Sequence, residues 1–137
     1  MKRHAKYLAI LPGYNEAETI EQVIDSMRLH VPMFDILVID DGSTDGTGEI
    51  AERAGAMVLR HPFNLGIGGA VQTGFVFAQE RGYDYAVQVD ADGQHCPEEI
   101  TKLLKTMKDR KAWLYDTKRE LMQCGGWLTN RLKELRR

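Results

Sequence analysis

Four short apolar runs constrain this chain more than any other feature: residues 7–11 (YLAIL), 36–40 (ILVID), 56–59 (AMVL) and 85–89 (YAVQV). Each is nearly continuous instead of alternating, the pattern of a strand buried on both faces of a parallel sheet. Parallel neighbours need a long crossover, and helical spacing fills the gaps. Ile20, Val23, Ile24 and Met27 make one apolar stripe; Ile67, Ala70, Val71, Gly74 and Ala78 make a second; Ile100, Leu103, Leu104 and Met107 make a third. Asn15 with Glu18 has the form of a capping box. Gly55 and Gly82 read as helix stops. Pro97, followed by Glu98 and Glu99, reads as a helix start that suits the dipole. The rhythm β-α-β-α-β-α-β-α predicts an α/β fold: an open, mostly parallel sheet with helices on both faces. From about Asp109 the rhythm breaks. Residues 109–137 read as two short basic helices around Gly125 and Gly126, with no strand, which divides the chain into a core at 1–108 and a basic helical tail.

The 137 residues suit one domain with a useful core. A hydrophobic content of 43% and a charged content of 28% are those of a soluble globular protein. No apolar run approaches the roughly 18 residues of a membrane span. The basic start is followed by an apolar stretch too short for a signal peptide, so a cytoplasmic protein is expected. Cys96 and Cys124 have no metal-ligand spacing and read as free thiols. Charge is uneven: residues 1–101 carry 7 Lys/Arg against 16 Asp/Glu, and residues 102–137 carry 11 against 4. The basic end calls for a partner, a surface, or the acidic part of the same chain. No nucleic-acid partner is expected.

In a parallel sheet, ligands bind beyond the carboxyl ends of the strands. Here those exits read PGYNE (12–16), DDGSTDGT (40–47), RHPFNLGIGG (60–69) and DADGQH (90–95). In extended backbone, residues i and i+2 point the same way, about 7 Å apart, so Asp90 and Asp92 can address one cation. Carboxylates with a Gln amide are hard oxygen ligands suited to Mg2+ or Mn2+. A diphosphate beside two carboxylates is otherwise disfavoured, because one like-charge pair at 4 Å costs about 4 kcal/mol at an effective dielectric of 20. A solvated Asp-Gly turn is the alternative for an isolated acidic pair.

The stretches LPGYNEAETI, VIDDGSTDGT, NLGIGGAVQTG and VQVDADGQHCPEEI, in this order and at these separations, resemble glycosyltransferase family 2 over roughly residues 5–108. The branch they resemble is the dolichol/polyprenol-phosphate mannosyltransferase-like one. Gly13 departs mildly, since Ala is more usual there. The resemblance implies a GT-A, Rossmann-like sandwich and transfer of a sugar from a UDP- or GDP-sugar, with inversion, to a polyprenyl phosphate or a saccharide. It implies that Pro12, Tyr14 and Glu16 frame the base and ribose, that Asp41 bonds the base edge, and that Asp90, Ala91 and Asp92 meet the nucleotide diphosphate. Asp90, Asp92 and Gln94 would hold the Mg2+ or Mn2+, with Asp92 as the catalytic residue.

Other residues keep two readings. Asn15 is either part of this site or a helix cap; Asp40 is a site acid or a buried strand-end acid; Ser43 and Asp45 belong to the site or close a turn. Asn64 and Gly66 shape a loop near the sugar or phosphate. His95 is structural or catalytic. Tyr83 and Tyr85 read as packing residues, and Asp116 and Glu120 as surface charges in a helical stretch.

Rival readings predict different structures. Asp41, Ser43, Asp45, Gly46 and Glu52 match an EF-hand loop, which requires a helix before residue 41. Asp90 and Asp92 also match the nucleophile and acid of haloacid-dehalogenase-type phosphatases, although that motif normally lies near the start of a chain. Gly66, Gly68 and Gly69 fit a dinucleotide fingerprint poorly. A binding module without transfer is the non-enzymatic alternative. Family members usually continue with another strand and acceptor-side elements, so this chain is expected to be a donor-binding part with a truncated or atypical C-terminal region and weak or absent transfer. Its tail, with Leu128, Leu132 and Leu135 beside Arg131 and Lys133, is expected on the sheet, on a second copy as a homodimer, or peripherally on an anionic membrane.

Overall fold

The computed structural model describes residues 4–91 and the backbone of the strand at 114–116. The chain forms β1 (Tyr7–Gly13), α1 (Ile20–His30), β2 (Phe34–Asp40), α2 (Thr47–Arg53), β3 (Met57–Arg60), α3 (Ile67–Glu80), β4 (Tyr85–Gln88) and β5 (Leu114–Asp116). These make one sheet of order β3-β2-β1-β4-β5. The first four strands run parallel, with Tyr7 opposite both Phe34 and Tyr85, and Leu37 opposite Met57.

In β1 and β2 the continuous apolar runs have the meaning expected of them; β3, at the edge of the sheet, is not buried on both faces, with Met57 and Arg60 exposed and Val58 and Leu59 half-buried. In β1, Leu8 and Ile10 enter the layer against Ala70, Val71, Phe75 and Ala78 of α3. Ala9 and Leu11, between them, enter the opposite layer with Ile20, Val23, Ile24 and Met27 of α1 and Ala51 of α2. All four β1 residues are fully buried. Each Leu or Ile so placed contributes about 1.5–3 kcal/mol. In β2, Leu37 and Ile39 alternate in the same way with Ile36 and Val38. Helices therefore cover both faces. Gly55 and Gly82 follow helices at φ 90 and 72, as expected of stops. Ile67 departs from its stripe: it is 64% exposed at the start of α3, while Phe75 takes a core position.

Two expectations are corrected. Asn15 does not cap α1: the N-cap position is Thr19, and Asn15 lies before it at φ 53, bonded to another loop. Residues 109–137 are not free of strand. Leu114–Asp116 pair antiparallel with β4, Val87 opposite Leu114 and Tyr85 opposite Asp116, so Asp116 is not in a helical stretch. The outer side of β4 would otherwise leave a row of backbone groups unpaired, and Leu114–Asp116 pair with it despite the segment's polar surroundings. The expected helix after the acidic pair and the rest of the tail lie outside the described residues, as do Cys96, Cys124 and Glu120.

The amino end of the sheet is fixed by aromatic and polar contacts. Tyr7 stacks on Tyr85 at 5.3 Å and meets Phe34 at the same distance. Tyr83 donates its hydroxyl to Asp35 at 2.7 Å, and the Asp84 carboxylate accepts the Lys6 N–H at 2.8 Å. Burial, then the Asp35 carboxylate, raises the Tyr83 hydroxyl far above its usual range. Tyr83 and Tyr85 are thus packing residues.

Helix α3 approaches β1 closely at Gly74, where an added Cβ would overlap the Ile10 side chain. Gly74→Ala is expected to destabilise the protein by about 1–3 kcal/mol through overpacking, read as a lower urea midpoint at unchanged slope. A midpoint equal to or above the wild type would contradict this packing.

Candidate functional site

Because β1 to β4 are parallel, their four exits open on one edge. The strand order reverses between β1, which leads to β2, and β4 on its other side, and at such a switch point the loops part and leave a crevice. The loop after β1 is tied to both neighbours. On one side, Asn15 donates its N–H to Ser43 Oγ at 3.0 Å and accepts the Thr44 N–H on Oδ1 at 2.9 Å. Glu16 N–H donates to Thr47 Oγ1 at 3.0 Å, and Ala17 N–H donates to Asp45 Oδ2 at 3.1 Å. On the other side, Thr19 Oγ1 donates to the Ala91 carbonyl at 2.7 Å, across the crevice, with Glu16 Oε2 3.3 Å away. Asn15 is the non-glycine residue at positive φ among those described, a conformation Asn tolerates with local hydrogen bonds.

The edge gathers most of the residues singled out by sequence. Pro12 lies opposite Ile39, next to the last residue of β1. Tyr14, just past the strand, is 50% exposed. Glu16 is half-buried, and Ala91 is buried. Asp90, half-buried, receives the Gln88 amide at 3.4 Å. Asp92, Gln94 and His95 lie outside the described residues, so among those described the cation ligand set is represented by Asp90 alone, and no cluster of three or more metal-ligating side chains occurs there.

Asp41 lies just past the end of β2. It is 3% exposed and turned toward α3. Its Oδ1 accepts from His61 Nδ1 at 2.7 Å and from the Leu65 N–H at 2.9 Å, and its Oδ2 accepts the Gly66 N–H at 2.9 Å. In this conformation Asp41 closes the 61–66 loop and offers no open edge to a base. Asp40 is a buried strand-end acid that accepts the Ser43 N–H at 3.0 Å. Ser43 and Asp45 close their turn and also hold the β1 loop.

The edge is acidic. Arg60, at the β3 exit, is shared among Asp40 at 4.0 Å, Glu49 at 3.6 Å and Glu52 at 3.2 Å. A diphosphate here would meet Glu16 and Asp90 with that guanidinium already engaged. The carboxylate of Asp90 at the β4 exit is a hard oxygen donor of the type that suits a divalent cation. Sequence reading passed over Thr19, Thr47, His61 and Thr73. Each is a common polar residue whose partner is far along the chain, and only His61, set directly after a strand run, carried a local signal.

Rival structures are excluded on the same geometry. A strand, not a helix, precedes Asp41, and Asp45 spends its oxygens on Thr47 and Ala17, which removes the EF-hand. Gly66 lies six residues past the end of β3, so the glycines do not form a strand-to-helix dinucleotide turn.

Residues 8–134 match the family model described as Glycosyl transferase family 2, and the chain belongs to that family. It is 42% identical over 108 residues to an undecaprenyl-phosphate mannosyltransferase of Micrococcus luteus, covering 75% of this chain and 44% of that protein. It is 33% identical over 123 residues to a UDP-N-acetylglucosamine–dolichyl-phosphate N-acetylglucosaminyltransferase of Methanococcus voltae, covering 77% and 49%. The chain thus spans less than half the length of these curated relatives. Glucosyl-3-phosphoglycerate synthase from Mycobacterium tuberculosis, in complex with Mn2+, UDP and glucosyl-3-phosphoglycerate, superposes with a TM-score of 0.64 at 29% identity, covering 75% of this chain and 39% of that one. The fold is that of the GT-A glycosyltransferases.

The carboxylate of Asp45 tests the loop junction. Burial tends to raise its pKa, but hydrogen bonds from the Thr47 hydroxyl and the Ala17 and Thr47 amides outweigh burial and hold it below the ordinary 3.8. A depressed carboxylate contributes stability that is complete above its unfolded value and is lost as pH falls through the folded one. Thermal melts from pH 6 downward are expected to show wild type losing stability below about pH 4, with Asp45→Asn less steep there and less stable at neutral pH. Parallel curves would contradict the junction.

Proposed function

We propose that the 1–108 core binds a nucleoside-diphosphate sugar at the carboxyl edge of the sheet and that the protein transfers the sugar, with inversion, to a polyprenyl phosphate. The observation that carries this reading is the edge itself. The parallel strand exits bring the Pro12–Glu16 loop beside Asp90 and Ala91, and the Thr19 hydroxyl joins the two through the Ala91 carbonyl. Tyr14 offers an aromatic face to the base, and Glu16 a carboxylate to ribose hydroxyls. Asp41 would serve the base edge after the 61–66 loop yields. Asp90, with Asp92 and Gln94, would hold Mg2+ or Mn2+, and the bound cation supplies Lewis-acid stabilisation of the leaving diphosphate. Asp92 is the residue assigned to catalysis.

In the transfer, an acceptor oxygen attacks the anomeric carbon from the face opposite the diphosphate, and the carbon–oxygen bond to the diphosphate breaks. A phosphate acceptor favours this. A phosphate monoester, with its second pKa near 6, is already anionic at neutral pH, so the attack needs no general base. The names of the Micrococcus and Methanococcus relatives point to the same acceptor class, and the UDP and Mn2+ of the mycobacterial complex support the donor and metal classes. Such an acceptor puts the working protein at a membrane surface. Among the described residues no helix is long and apolar enough to cross one. Peripheral association, through the basic tail or a homodimer, is the arrangement we infer.

Calorimetry with UDP and GDP, with and without Mn2+, tests the donor site. Wild type is expected to bind one of them in a Mn2+-dependent way, and the protein with Asp90→Asn and Asp92→Asn together to lose that dependence while its melt stays cooperative. At 100 times the dissociation constant, the ligand should stabilise wild type by about 2.7 kcal/mol. Unchanged nucleotide affinity in the double variant would overturn the assignment.

A further inference from the structure

His61 follows β3, and the proposed function leaves its side chain without a task. Its side chain is 10% exposed, and that of Asp41 is 4% exposed. One ring nitrogen, Nδ1, donates to Asp41 Oδ1 at 2.7 Å, and the other, Nε2, lies 2.9 Å from Thr73 Oγ1 on α3. Thr73 in turn donates to the Gly69 carbonyl at 3.0 Å. The ring is thus held from both ends, and it holds Oδ1.

The two oxygens of Asp41 are not equivalent. Oδ1 is fixed by His61 and by the Leu65 N–H. Oδ2 accepts from Gly66 N–H, and that same N–H is also 2.9 Å from Asn64 Oδ1. If Gly66 let go of Oδ2, its N–H would keep Asn64 as acceptor, so no donor would be orphaned. Gly66 has φ 87, and nothing stands within 4 Å of where a Cβ would be, so the backbone has room to turn.

We propose that His61 is a positioning residue for the donor base: it holds Asp41 Oδ1 while Oδ2 passes from the Gly66 amide to a ring N–H of the base. This rests on the nucleoside-diphosphate reading above. It also names the class of base. Uracil and guanine carry a ring N–H on the edge that pairs. Cytosine has an acceptor nitrogen at that place, which an Asp41 carboxylate repels.

The test is calorimetry on the full chain in Mn2+ with UDP, GDP, CDP and inorganic pyrophosphate. Wild type is expected to bind UDP or GDP at least about tenfold tighter than CDP, the scale of one hydrogen bond to a charged group. His61→Ala should erase that preference and leave pyrophosphate affinity within about twofold. His61→Asn, whose amide can donate to Oδ1 from nearly the same point, should restore most of the preference. Thr73→Val, which frees the far end of the ring, should weaken it severalfold. Preference retained in His61→Ala overturns the proposal, and so does an equal loss for pyrophosphate, which marks a merely structural role. Should His61→Ala fail to fold, unchanged preference in Thr73→Val overturns it. Wild type that binds nucleotides without base preference sinks this inference alone, whereas wild type that binds no nucleotide sinks the donor reading as well.

Discussion

Strand β1 is hydrogen-bonded along both sides and buried on both faces, and the site depends on that position. Its register against β2 and β4 puts Gly13 level with Asp40, and Ile10 level with Gln88. The acidic segment after β4 therefore emerges beside the Pro12–Glu16 loop and not elsewhere. A one-residue slip would exchange the two faces of β1 and bring Leu8 and Ile10 against the wrong helices. The same packing that makes the core thus sets the spacing of the loops, and Gly74 is the point at which α3 enforces it from one face.

On that frame the loops are cross-linked mainly by side chains accepting backbone N–H groups. Ser43, Thr47 and Asp45 satisfy the β1 loop, and Asp41 satisfies the β3 loop. No buried side-chain nitrogen or oxygen among the described residues lacks a partner. Polar loop residues thus serve two ends at once, holding irregular backbone in place and lining a crevice with acceptors. An edge of acceptors disfavours an anionic ligand, and with Arg60 already shared among Asp40, Glu49 and Glu52 the proposed donor would need a cation beside it.

Much of the fold was legible because its signal is local. Continuous apolar runs mark strands, and four strand positions followed from them to within two residues at either end, although only β1 and β2 proved to be buried through most of their length. The α1 stripe and the glycine stops were equally readable. What failed was decided by tertiary contact. Asn15 has the spacing of a cap, yet its partners are Ser43 and Thr44, invisible from a window around residue 15. Leu114–Asp116 is three residues long in a polar stretch, and it becomes a strand because β4 has an open edge. Ile67 fits a helical stripe by spacing but stands at the helix start, beyond the layer. The candidate residues from Pro12 to Ala91, singled out by motif resemblance, lie along one edge of the sheet, whereas the inward turn of Asp41 depends on His61 and the 61–66 loop, about twenty positions away.

The central claim is that one edge of this sheet is a nucleotide site. Amide hydrogen exchange of the full chain, with and without UDP or GDP in Mn2+, tests it most directly. The account predicts changed exchange confined to the strand exits at 13–19, 41–47, 61–67 and 88–91, with the amino edge around Lys6, Asp35 and Asp84 unaltered. Changes centred on that amino edge, or none at any exit at saturating nucleotide, would contradict it.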